Sequence, residues 1–195
     1  MKLLIATSNA HKIVEMKSIL ESTGVEIVTP QDFDRKLPFI LEDGDTFEAN
    51  ACKKAMEMAE FYQIPALADD SGLEVFALNN EPGIYSARYA GEDADDKMNL
   101  DKLLDEMRDM TDRRARFVCC VAIVYPDKTV KGTAEGEILG QIAKKPRGGN
   151  GFGYDPVFVP DDYELTFAEL SSKKKDSMSH RANALKKAIK KNLFK

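Results

Sequence analysis

The sequence predicts an α/β protein in which helices flank a mixed β-sheet. Three observations support this class: a β-loop-α-β pattern at the start, a nine-residue apolar run in the middle, and an amphipathic helix near the end. A β-α-β opening usually forms a parallel strand pair, and a strand that is apolar on both faces is typical of a sheet centre. The 195 residues suit one domain, or two lobes that share a cleft.

The first third of the chain alternates strands with helices. The predicted segments are a strand at 3–6 (LLIA), a helix that Gly24 ends, a strand at 25–28 (VEIV), a loop at 30–45 and a helix from Phe47 to about Tyr62. The first helix carries apolar residues at helical spacing, at Ile13, Met16, Ile19 and Leu20. Thr46 is a suitable N-cap for the second helix.

The rest of the chain continues this alternation. The predicted segments are strands at 66–70 (ALADD) and 73–78 (LEVFAL) separated by Ser71-Gly72, an irregular stretch at 79–91, a helix from Asp95 to Met110, strands at 117–125 (FVCCVAIVY), 129–140 and 157–159, and a helix from Ser179 to Phe194. FVCCVAIVY is the expected central strand. The helix at 95–110 is expected to bury Met98, Leu103, Leu104 and Met107.

Composition excludes several classes of protein. Apolar residues make up 43% of the chain and charged residues 31%, which is ordinary for a soluble globular protein. No apolar run approaches the roughly 18 residues of a membrane span, and the N-terminal segment lacks the pattern of a signal peptide. The three cysteines show neither disulfide nor metal-ligand spacing. We therefore expect a cytoplasmic protein with no membrane partner.

Charge is distributed unevenly along the chain. Residues 1–110 hold 11 Lys and Arg against 23 Asp and Glu, a net charge of −12, whereas residues 111–195 hold 17 against 10, a net charge of +7. Such a chain could bring a cation and a polyanion together in one cleft, or could have two solvated faces. The acidic total argues against a stable complex with nucleic acid.

The motif TSNAHK, residues 7–12, lies between the first predicted strand and helix. A helix N-terminus leaves about four backbone N–H groups unpaired and attracts phosphate. Thr7, Ser8 and Asn9 can add hydrogen bonds, and Lys12 places a cation one turn into the helix. The motif does not have the P-loop pattern. It is either a phosphate-binding loop or a simple N-cap formed by Ser8 or Asn9.

Two adjacent aspartates end the predicted strand ALADD. Neighbouring strand residues point to opposite faces, so at most one of Asp69 and Asp70 reaches a given site, and the other braces the turn. Mg²⁺ takes one or two carboxylates and completes its shell with water and phosphate oxygens. Glu42 could supply the second carboxylate. The alternative interpretation of DDSG is a β-turn in which Asp accepts a hydrogen bond.

Two later segments add an aromatic loop and a basic loop. GGNGFGYDP (148–156) places Phe152 and Tyr154 among four glycines, where the aromatic rings must pack against the protein or against a ligand. KKKDSMSHR (173–181) is predicted as a basic loop that Ser179 caps, with His180 and Arg181 in the following helical turn. Cations are unfavourable at a helix N-terminus, so they either act on an anion or an acceptor, or lie at the surface. With the earlier motifs, these segments describe a Mg²⁺-nucleotide cleft.

The motifs TSNAHK, DDSGLEV, PGIYSARYAG, GGNGFGYDP and SHRANAL occur in this order over nearly the whole chain. In this combination the sequence resembles the Ham1-like inosine/xanthosine triphosphate pyrophosphatases. The resemblance implies an elongated α/β fold with a long mixed sheet and two lobes around a central nucleotide cleft. It also implies a homodimer that uses Mg²⁺ to hydrolyse a non-standard purine nucleoside triphosphate to the monophosphate and pyrophosphate.

The resemblance also implies roles for individual residues. Asp70 is expected as general base and metal ligand, with Glu42 as the other metal ligand. The expected substrate contacts are Thr7, Ser8, Asn9, Ala10, His11, Lys12, Lys54, Ser71, Phe152, Gly153, Tyr154, Asp155, Lys175, His180 and Arg181. Phe152 is expected to stack on the purine. Because arginine only donates hydrogen bonds, Arg181 is expected to favour 6-oxo purines over adenine.

Two alternatives remain at this point. A nucleotide-binding sensor would share the loops without hydrolysing its ligand, although binding a triphosphate needs cations more than the carboxylates of Asp70 and Glu42. A septum-formation-type pyrophosphatase would share the fold but prefer modified pyrimidines or methylated nucleotides. The family departs from this chain at His11 and Asn150, where its members often have glycine, which leaves the backbone path there open.

Overall fold

The structure is a computed structural model that describes residues 1–35 and 38–195. In the described residues the strands are β1 (Lys2–Ile5), β2 (Glu26–Val28), β3 (Ala66–Val75), β4 (Arg114–Val124), β5 (Val130–Ile142) and β6 (Phe158–Pro160). They form one sheet in the order β2-β1-β3-β4-β5-β6. β1 pairs in parallel with β2 and β3, whereas β5 and β6 are antiparallel. This mixed sheet confirms the predicted α/β class.

Helices connect and cover the strands. The α-helices of the described chain are α1 (Ala10–Leu20), α2 (Phe47–Tyr62), α3 (Asp96–Glu106), α4 (Ser172–Met178) and α5 (His180–Lys190). α1 continues into a short 3-10 helix that ends at Gly24, whose φ of 68° suits glycine. Thr46 caps α2 by accepting a hydrogen bond from the backbone of Ala49, as predicted. Residues 36 and 37 of the predicted loop at 30–45 lie outside the described residues.

The chain divides into two compact units. The first comprises residues 1–70, 119–136 and 180–195. Its strands alternate in the usual way, so that Leu3, Ile5 and Leu67 join the core under α1 and α5. Leu4 and Ala68 point to the other face and pack with α2. The first unit therefore has a helix layer on each face of its strands.

One glycine fixes the contact between β5 and α5 in this unit. A Cβ atom at Gly136 would lie 2.1 Å from the backbone nitrogen of Ala184 and 2.4 Å from the carbonyl oxygen of His180. Only glycine lets the strand approach the helix backbone this closely. The start of α5, which carries Arg181, is therefore held directly against the sheet.

The second unit comprises residues 71–118 and 137–179. Its core is rich in aromatic rings, and Phe117, Phe158 and Phe167 pack with centroid distances of 4.7–6.0 Å. Leu103 and Met107, at the end of α3, are fully buried there, as the sequence predicts. Met98 is 51% exposed, so the prediction that it faces inward is wrong.

Two predicted boundaries are also wrong. β3 runs unbroken from Ala66 to Val75, so Ser71-Gly72 lies inside a strand and Asp69 and Asp70 do not end one. The predicted basic loop at 173–181 is largely helical, because Ser171 caps α4 by accepting from the backbone of Lys174 and lysine is a good helix former. Within residues 1–35 and 38–195, no helix is both long and apolar enough to cross a membrane.

Candidate functional site

The segment after β1 enters α1 through a side-chain cap. Oδ1 of Asn9 accepts hydrogen bonds from the backbone N–H groups of His11 and Lys12, at 3.0 and 3.2 Å. Oγ1 of Thr7 accepts one from the backbone N–H of Asn9 at 3.2 Å. Asn9 is thus the cap, and Ser8 to His11 are exposed. The positive end of the helix therefore faces solvent, where it can attract an anion.

Asp69 is fully buried at the centre of an ion cluster. Its Oδ2 lies 3.0 Å from Lys12 Nζ and accepts hydrogen bonds from Nη2 and Nε of Arg181, at 2.8 and 3.1 Å. Burial alone would raise the pKa of Asp69, but the charges of Lys12, Arg181 and Lys54 outweigh it and hold the pKa well below its usual range. Its neighbours therefore favour the ionised form of Asp69, which makes it a poor proton acceptor.

Arg181 links this cluster to a second carboxylate. Its Nη1 forms an ion pair with Glu15 of α1, while its other nitrogens bind Asp69. Burial would lower the pKa of Arg181, but Asp69 and Glu15 raise it above the usual value, so the guanidinium is charged. The two carboxylates explain how a cation is tolerated in the first turn of α5. The expectation that Arg181 favours 6-oxo purines stays a prediction.

Asp70 points to the opposite face of β3, as strand alternation predicts. Its Oδ2 accepts a hydrogen bond of 3.0 Å from Nδ2 of Asn50 on α2. Oδ1 of Asn50 accepts one of 2.8 Å from the backbone N–H of Gly44. Burial is the main reason that the pKa of Asp70 is raised, and Glu42 raises it further, against the lowering effect of Lys54 and the Asn50 hydrogen bond. A buried carboxylate with a raised pKa is a good candidate for a general base.

Glu42 and Lys54 complete this side of the first unit. Nζ of Lys54 lies 2.6 Å from Oε1 of Glu42, and their side chains are 12% and 31% exposed. Burial lowers the pKa of Lys54, but Asp69, Glu42 and Asp70 outweigh it and leave the pKa raised. Lys54 is thus a charged ammonium that interacts with three carboxylates. Lys12, Lys54 and Glu42 all lie near enough to Asp70 for their charges to affect its pKa.

The glycine-rich loop belongs to the second unit and is built around a buried aspartate. Oδ2 of Asp155 accepts a 2.9 Å hydrogen bond from the backbone N–H of Phe152 and pairs with Lys175 Nζ at 2.6 Å. Gly151 has a φ of 78°, and a Cβ there would lie 2.0 Å from the same Oδ2. The loop can close on Asp155 because this position is glycine. The backbone N–H of Gly153 donates to Oδ2 of Asp96 at 2.7 Å.

Phe152 is the aromatic ring that this loop presents. The ammonium of Lys175 lies 4.8 Å from the ring centroid of Phe152, which is cation–π distance. The loop also lines a cavity of about 380 Å³, together with Leu100 of α3 and Pro156. A cavity of about 450 Å³ elsewhere in this unit contains none of the predicted site residues, so we assign no role to it.

Other predicted residues occupy supporting positions. Tyr154 is 5% exposed, and its hydroxyl donates to the carbonyl oxygen of Ser86 at 2.9 Å, so it anchors the loop. Lys175 is 4% exposed and sits on Asp155. His180 is buried at the start of α5, and Ser71 lies half-buried in β3. Tyr154, Lys175 and His180 therefore present little surface to a ligand.

Sequence reasoning missed two partners. Glu15 and Asp96 were given no site role, although Glu15 binds Arg181 and Asp96 binds the glycine loop. The signal for Glu15 was its spacing of three residues from Lys12, which puts both side chains on one face of α1. Asp96 had no local signal, because its partner lies 57 residues away. Asn50 shares with Lys54 a helix that resembles one of the family, but its hydrogen bond to Asp70 was not predicted.

The fold and the polar side chains of the first unit define the class of protein. A helix N-terminus, two lysines and paired carboxylates on an α/β sheet are the groups that phosphate chemistry uses, so this is an α/β protein equipped for phosphoryl-group reactions. The chain belongs to the Ham1 family, whose sequence profile matches residues 3–191. This match confirms the predicted family and decides against the septum-formation alternative.

Relatives and solved structures agree with this assignment. The chain is 47% identical to a dITP/XTP pyrophosphatase of Desulfotalea psychrophila, over 94% of this chain and 81% of the relative. It is 44% identical to a dITP/XTP pyrophosphatase of Bacillus subtilis, over 96% of this chain and 94% of the relative. The Ham1 protein structure from Staphylococcus aureus is 41% identical with a TM-score of 0.84, covering 98% of this chain and 99% of that one. The structure of a HAM1 protein from Coxiella burnetii is 38% identical with a TM-score of 0.87, and the match covers 97% of this chain and 97% of that one.

Proposed function

We infer that this protein is a nucleoside-triphosphate pyrophosphatase. It hydrolyses non-standard purine nucleotides, ITP, dITP and XTP, to the monophosphate and pyrophosphate, and so cleanses the nucleotide pool. The relatives named dITP/XTP pyrophosphatase support the substrate class. The observation that carries the proposal is Asp70, a buried carboxylate of raised pKa held by Asn50 beside Lys54 and Glu42.

Asp70 is the proposed general base. It accepts a proton from the water that attacks the α-phosphorus, the bond from that phosphorus to the bridging oxygen breaks, and pyrophosphate leaves. The hydrogen bond from Asn50 fixes the Asp70 carboxylate, and the raised pKa brings it nearer to the operating pH. Asp69 does not suit this role because it is fully buried and its pKa is lowered.

The same side chains fit a magnesium ion. Asp70 and Glu42 are close enough for Glu42 to raise the pKa of Asp70, and such a like-charged pair favours a cation between or near them. The described residues contain no cluster of three or more His, Cys, Asp or Glu side chains suited to a metal. Two carboxylates suit Mg²⁺, which takes its other ligands from water and phosphate. When bound, Mg²⁺ neutralises charge on the phosphates.

Thr7 to Lys12 and Lys54 are the proposed phosphate contacts. Ser8 to His11 are exposed at the positive end of α1. The ammonium of Lys12 pairs with the buried Asp69, and that of Lys54 pairs with the half-buried Glu42. Substrate phosphates can therefore bind to N–H groups and ammonium groups that are already positioned. Preorganised cations of this kind stabilise the charge that develops on a leaving pyrophosphate.

Phe152 and the neighbouring backbone are the proposed contacts of the purine. The ring of Phe152 is held by Asp155 and Lys175 on its own unit, which leaves it a fixed stacking surface. Gly153 exposes backbone beside it. We propose that Tyr154, Asp155 and Lys175 support this surface. We also propose that Ser71 contacts the substrate, and that the protein acts as a homodimer in the cytoplasm.

A substrate panel tests the proposed function. ITP, dITP, XTP, GTP and ATP are incubated with the full chain and Mg²⁺, and pyrophosphate release is followed by a coupled absorbance assay. We expect kcat/KM for ITP, dITP and XTP to exceed that for ATP and GTP at least tenfold. EDTA should abolish turnover and Mg²⁺ should restore it. Binding of ITP without pyrophosphate release would identify a sensor instead, and equal rates on all five would refute the substrate class.

A further inference from the structure

Carboxylates hold the backbone of the glycine-rich loop on both sides of Phe152. The backbone N–H of Phe152 donates to Oδ2 of Asp155 at 2.9 Å, and the next N–H along the chain, that of Gly153, donates to Oδ2 of Asp96 at 2.7 Å. Both peptide groups that flank the Cα atom of Phe152 therefore take part in hydrogen bonds. Because a side chain projects from its Cα atom, these two contacts together fix where the Phe152 ring is attached.

We propose that Asp96 is a positioning residue for the nucleobase end of the site, because it holds the Gly153 peptide group and so sets the position of the Phe152 ring. This inference rests on the proposed stacking of the purine on Phe152. Asp155 belongs to the loop itself, whereas Asp96 lies 57 residues from Gly153, at the start of α3. Asp96 therefore ties the loop to another part of the second unit.

Gly153 depends on a contact of this kind because glycine has little conformational preference of its own. Its φ is 58°, and a Cβ atom at this position would have no other atom within 4 Å. Glycine therefore suits this position through its backbone angles and not through a lack of space. A glycine backbone has many accessible conformations, and it populates one of them when neighbouring groups favour it. The hydrogen bond to Asp96 favours the one seen here.

The start of α3, which carries Asp96, is itself held in place. Oδ1 of Asp95 caps the helix by accepting a hydrogen bond of 2.7 Å from the backbone N–H of Met98. Asn99 is 3% exposed, and its side chain accepts from the backbone N–H of Ala90 and donates to the carbonyl oxygen of Ala87, at 2.8 and 3.0 Å. The carboxylate that holds the loop is therefore attached to a fixed helix end.

The motif PGIYSARYAG, residues 82–91, joins these parts together. It contains both backbone partners of Asn99, and the carbonyl oxygen of its Ser86 accepts a 2.9 Å hydrogen bond from the hydroxyl of Tyr154 in the loop. Oγ of Ser86 accepts another of 2.9 Å from the backbone N–H of Leu73 in β3. The loop, the start of α3 and this motif thus form one hydrogen-bonded network within the second unit.

Hydrogen exchange of the Gly153 amide measures this contact directly. The full chain is labelled with isotopic glycine, and exchange is followed by NMR for the wild type, Asp96→Ala and Asp101→Ala. Asp101 is the matched control, because it lines the same cavity from α3 but pairs with Lys97. We expect exchange at Gly153 at least about threefold faster in Asp96→Ala only, because a hydrogen bond to a charged group is lost. The Gly149 amide, which donates to a backbone carbonyl, should be unchanged.

Kinetics show whether the contact serves the base. We expect Asp96→Ala to raise KM for ITP at least about threefold while kcat stays within about twofold, because a less firmly held ring stacks less well on the purine. The dissociation constant of pyrophosphate, which has no base, is measured by isothermal titration calorimetry with Mg²⁺ and should stay within about twofold. Asp96→Asn keeps an acceptor for the Gly153 N–H, so it should recover at least half of the change in log KM.

Four results would overturn the inference: unchanged Gly153 exchange in Asp96→Ala, an unchanged KM for ITP, an equal rise of KM in Asp101→Ala, or an equal loss of pyrophosphate affinity. Asp96 is exposed, so these variants should fold, and circular dichroism checks that they do. Asp96→Ser replaces Asp96→Ala if the latter does not fold, because serine suits a helix start and its hydroxyl is one bond shorter. The proposed hydrolysis is judged separately, by pyrophosphate release from ITP by the wild type.

Discussion

Asp69 and Asp70 are neighbours in sequence, and replacing each with asparagine should give opposite effects on stability. Asp70→Asn removes the proposed base but preserves the shape and the hydrogen bond to Asn50, whose amide can meet the new carbonyl oxygen. Loss of a general base lowers kcat about 10²–10⁴-fold. We therefore expect a folded protein with almost no turnover.

The stability effect follows from the direction of the pKa shift. A carboxyl group whose pKa is raised in the folded protein adds stability at low pH and loses it as the pH rises through that pKa. At neutral pH the ionised Asp70 therefore lowers the free energy of unfolding. Asp70→Asn removes a buried charge, so its melting temperature should equal or exceed that of the wild type.

Asp69→Asn should behave in the opposite way. The pKa of Asp69 is lowered, so its charge stabilises the fold at every pH above the ordinary carboxyl range. Removing one partner of a buried ion pair costs about 3–5 kcal/mol, and about 2–4 °C of melting temperature is lost per kcal/mol in a chain of this size. We expect a drop of roughly 6–20 °C.

Differential scanning fluorimetry and pyrophosphate release assays on the same preparations decide the matter. Two results would contradict the reasoning: an Asp70→Asn enzyme that keeps more than a third of the wild-type kcat, or an Asp69→Asn protein as stable as Asp70→Asn. The first would remove Asp70 from the chemistry. The second would show that the Arg181 and Lys12 contacts of Asp69 contribute little to the fold.

Three further predictions address the phosphate contacts, the loop and the ring. Lys54→Met should raise KM for ITP at least threefold, and the wild-type KM should itself rise with salt because screening weakens the ammonium contacts; unchanged values would exclude Lys54 from phosphate binding. Gly151→Ala should lower the melting temperature and raise KM for ITP, because the new Cβ would collide with Asp155. Gly149→Ala is the matched control, because a Cβ there has no atom within 4 Å, and equal effects of the two changes would refute the role given to Gly151. Phe152→Ala should weaken ITP binding by about 1–3 kcal/mol, the value of a base stacked on an aromatic ring, while pyrophosphate binding stays unchanged; a parallel loss of pyrophosphate affinity would mean that the loop had collapsed.

Most of the fold could be predicted from local sequence patterns. The opening β1-α1-β2 unit, helix α2 and the central strand β4 each depend on signals within a few residues, such as the periodic apolar residues of α1 and the Thr46 cap. The misplaced break at Ser71-Gly72 shows the limit of such signals. Serine and glycine favour turns locally, but β3 is also hydrogen-bonded to its neighbour β4 in the sheet, and a signal of that kind comes from a distant part of the chain.

The site was predicted less completely, for a physical reason. Carboxylates and lysines could be named as candidates, but their partners depend on contacts between distant parts of the chain. Arg181 lies 112 residues from Asp69 and 166 from Glu15. From sequence alone, its position in the first turn of a helix suggested a ligand, because a cation there is unfavourable without an anion. In the structure, Asp69 and Glu15 of the same chain supply carboxylates that pair with Arg181.

The two adjacent aspartates show how one strand can serve both stability and chemistry. Alternation sends Asp69 toward α1 and α5, where Lys12 and Arg181 make its ionisation favourable, and sends Asp70 toward α2, where burial and Glu42 make ionisation unfavourable. A general base needs a raised pKa and a structural anion needs a lowered one, so one environment could not suit both. Because Lys12 pairs with Asp69 and Lys54 interacts with both aspartates, the same strand also sets the positions of the cations proposed to bind the phosphates.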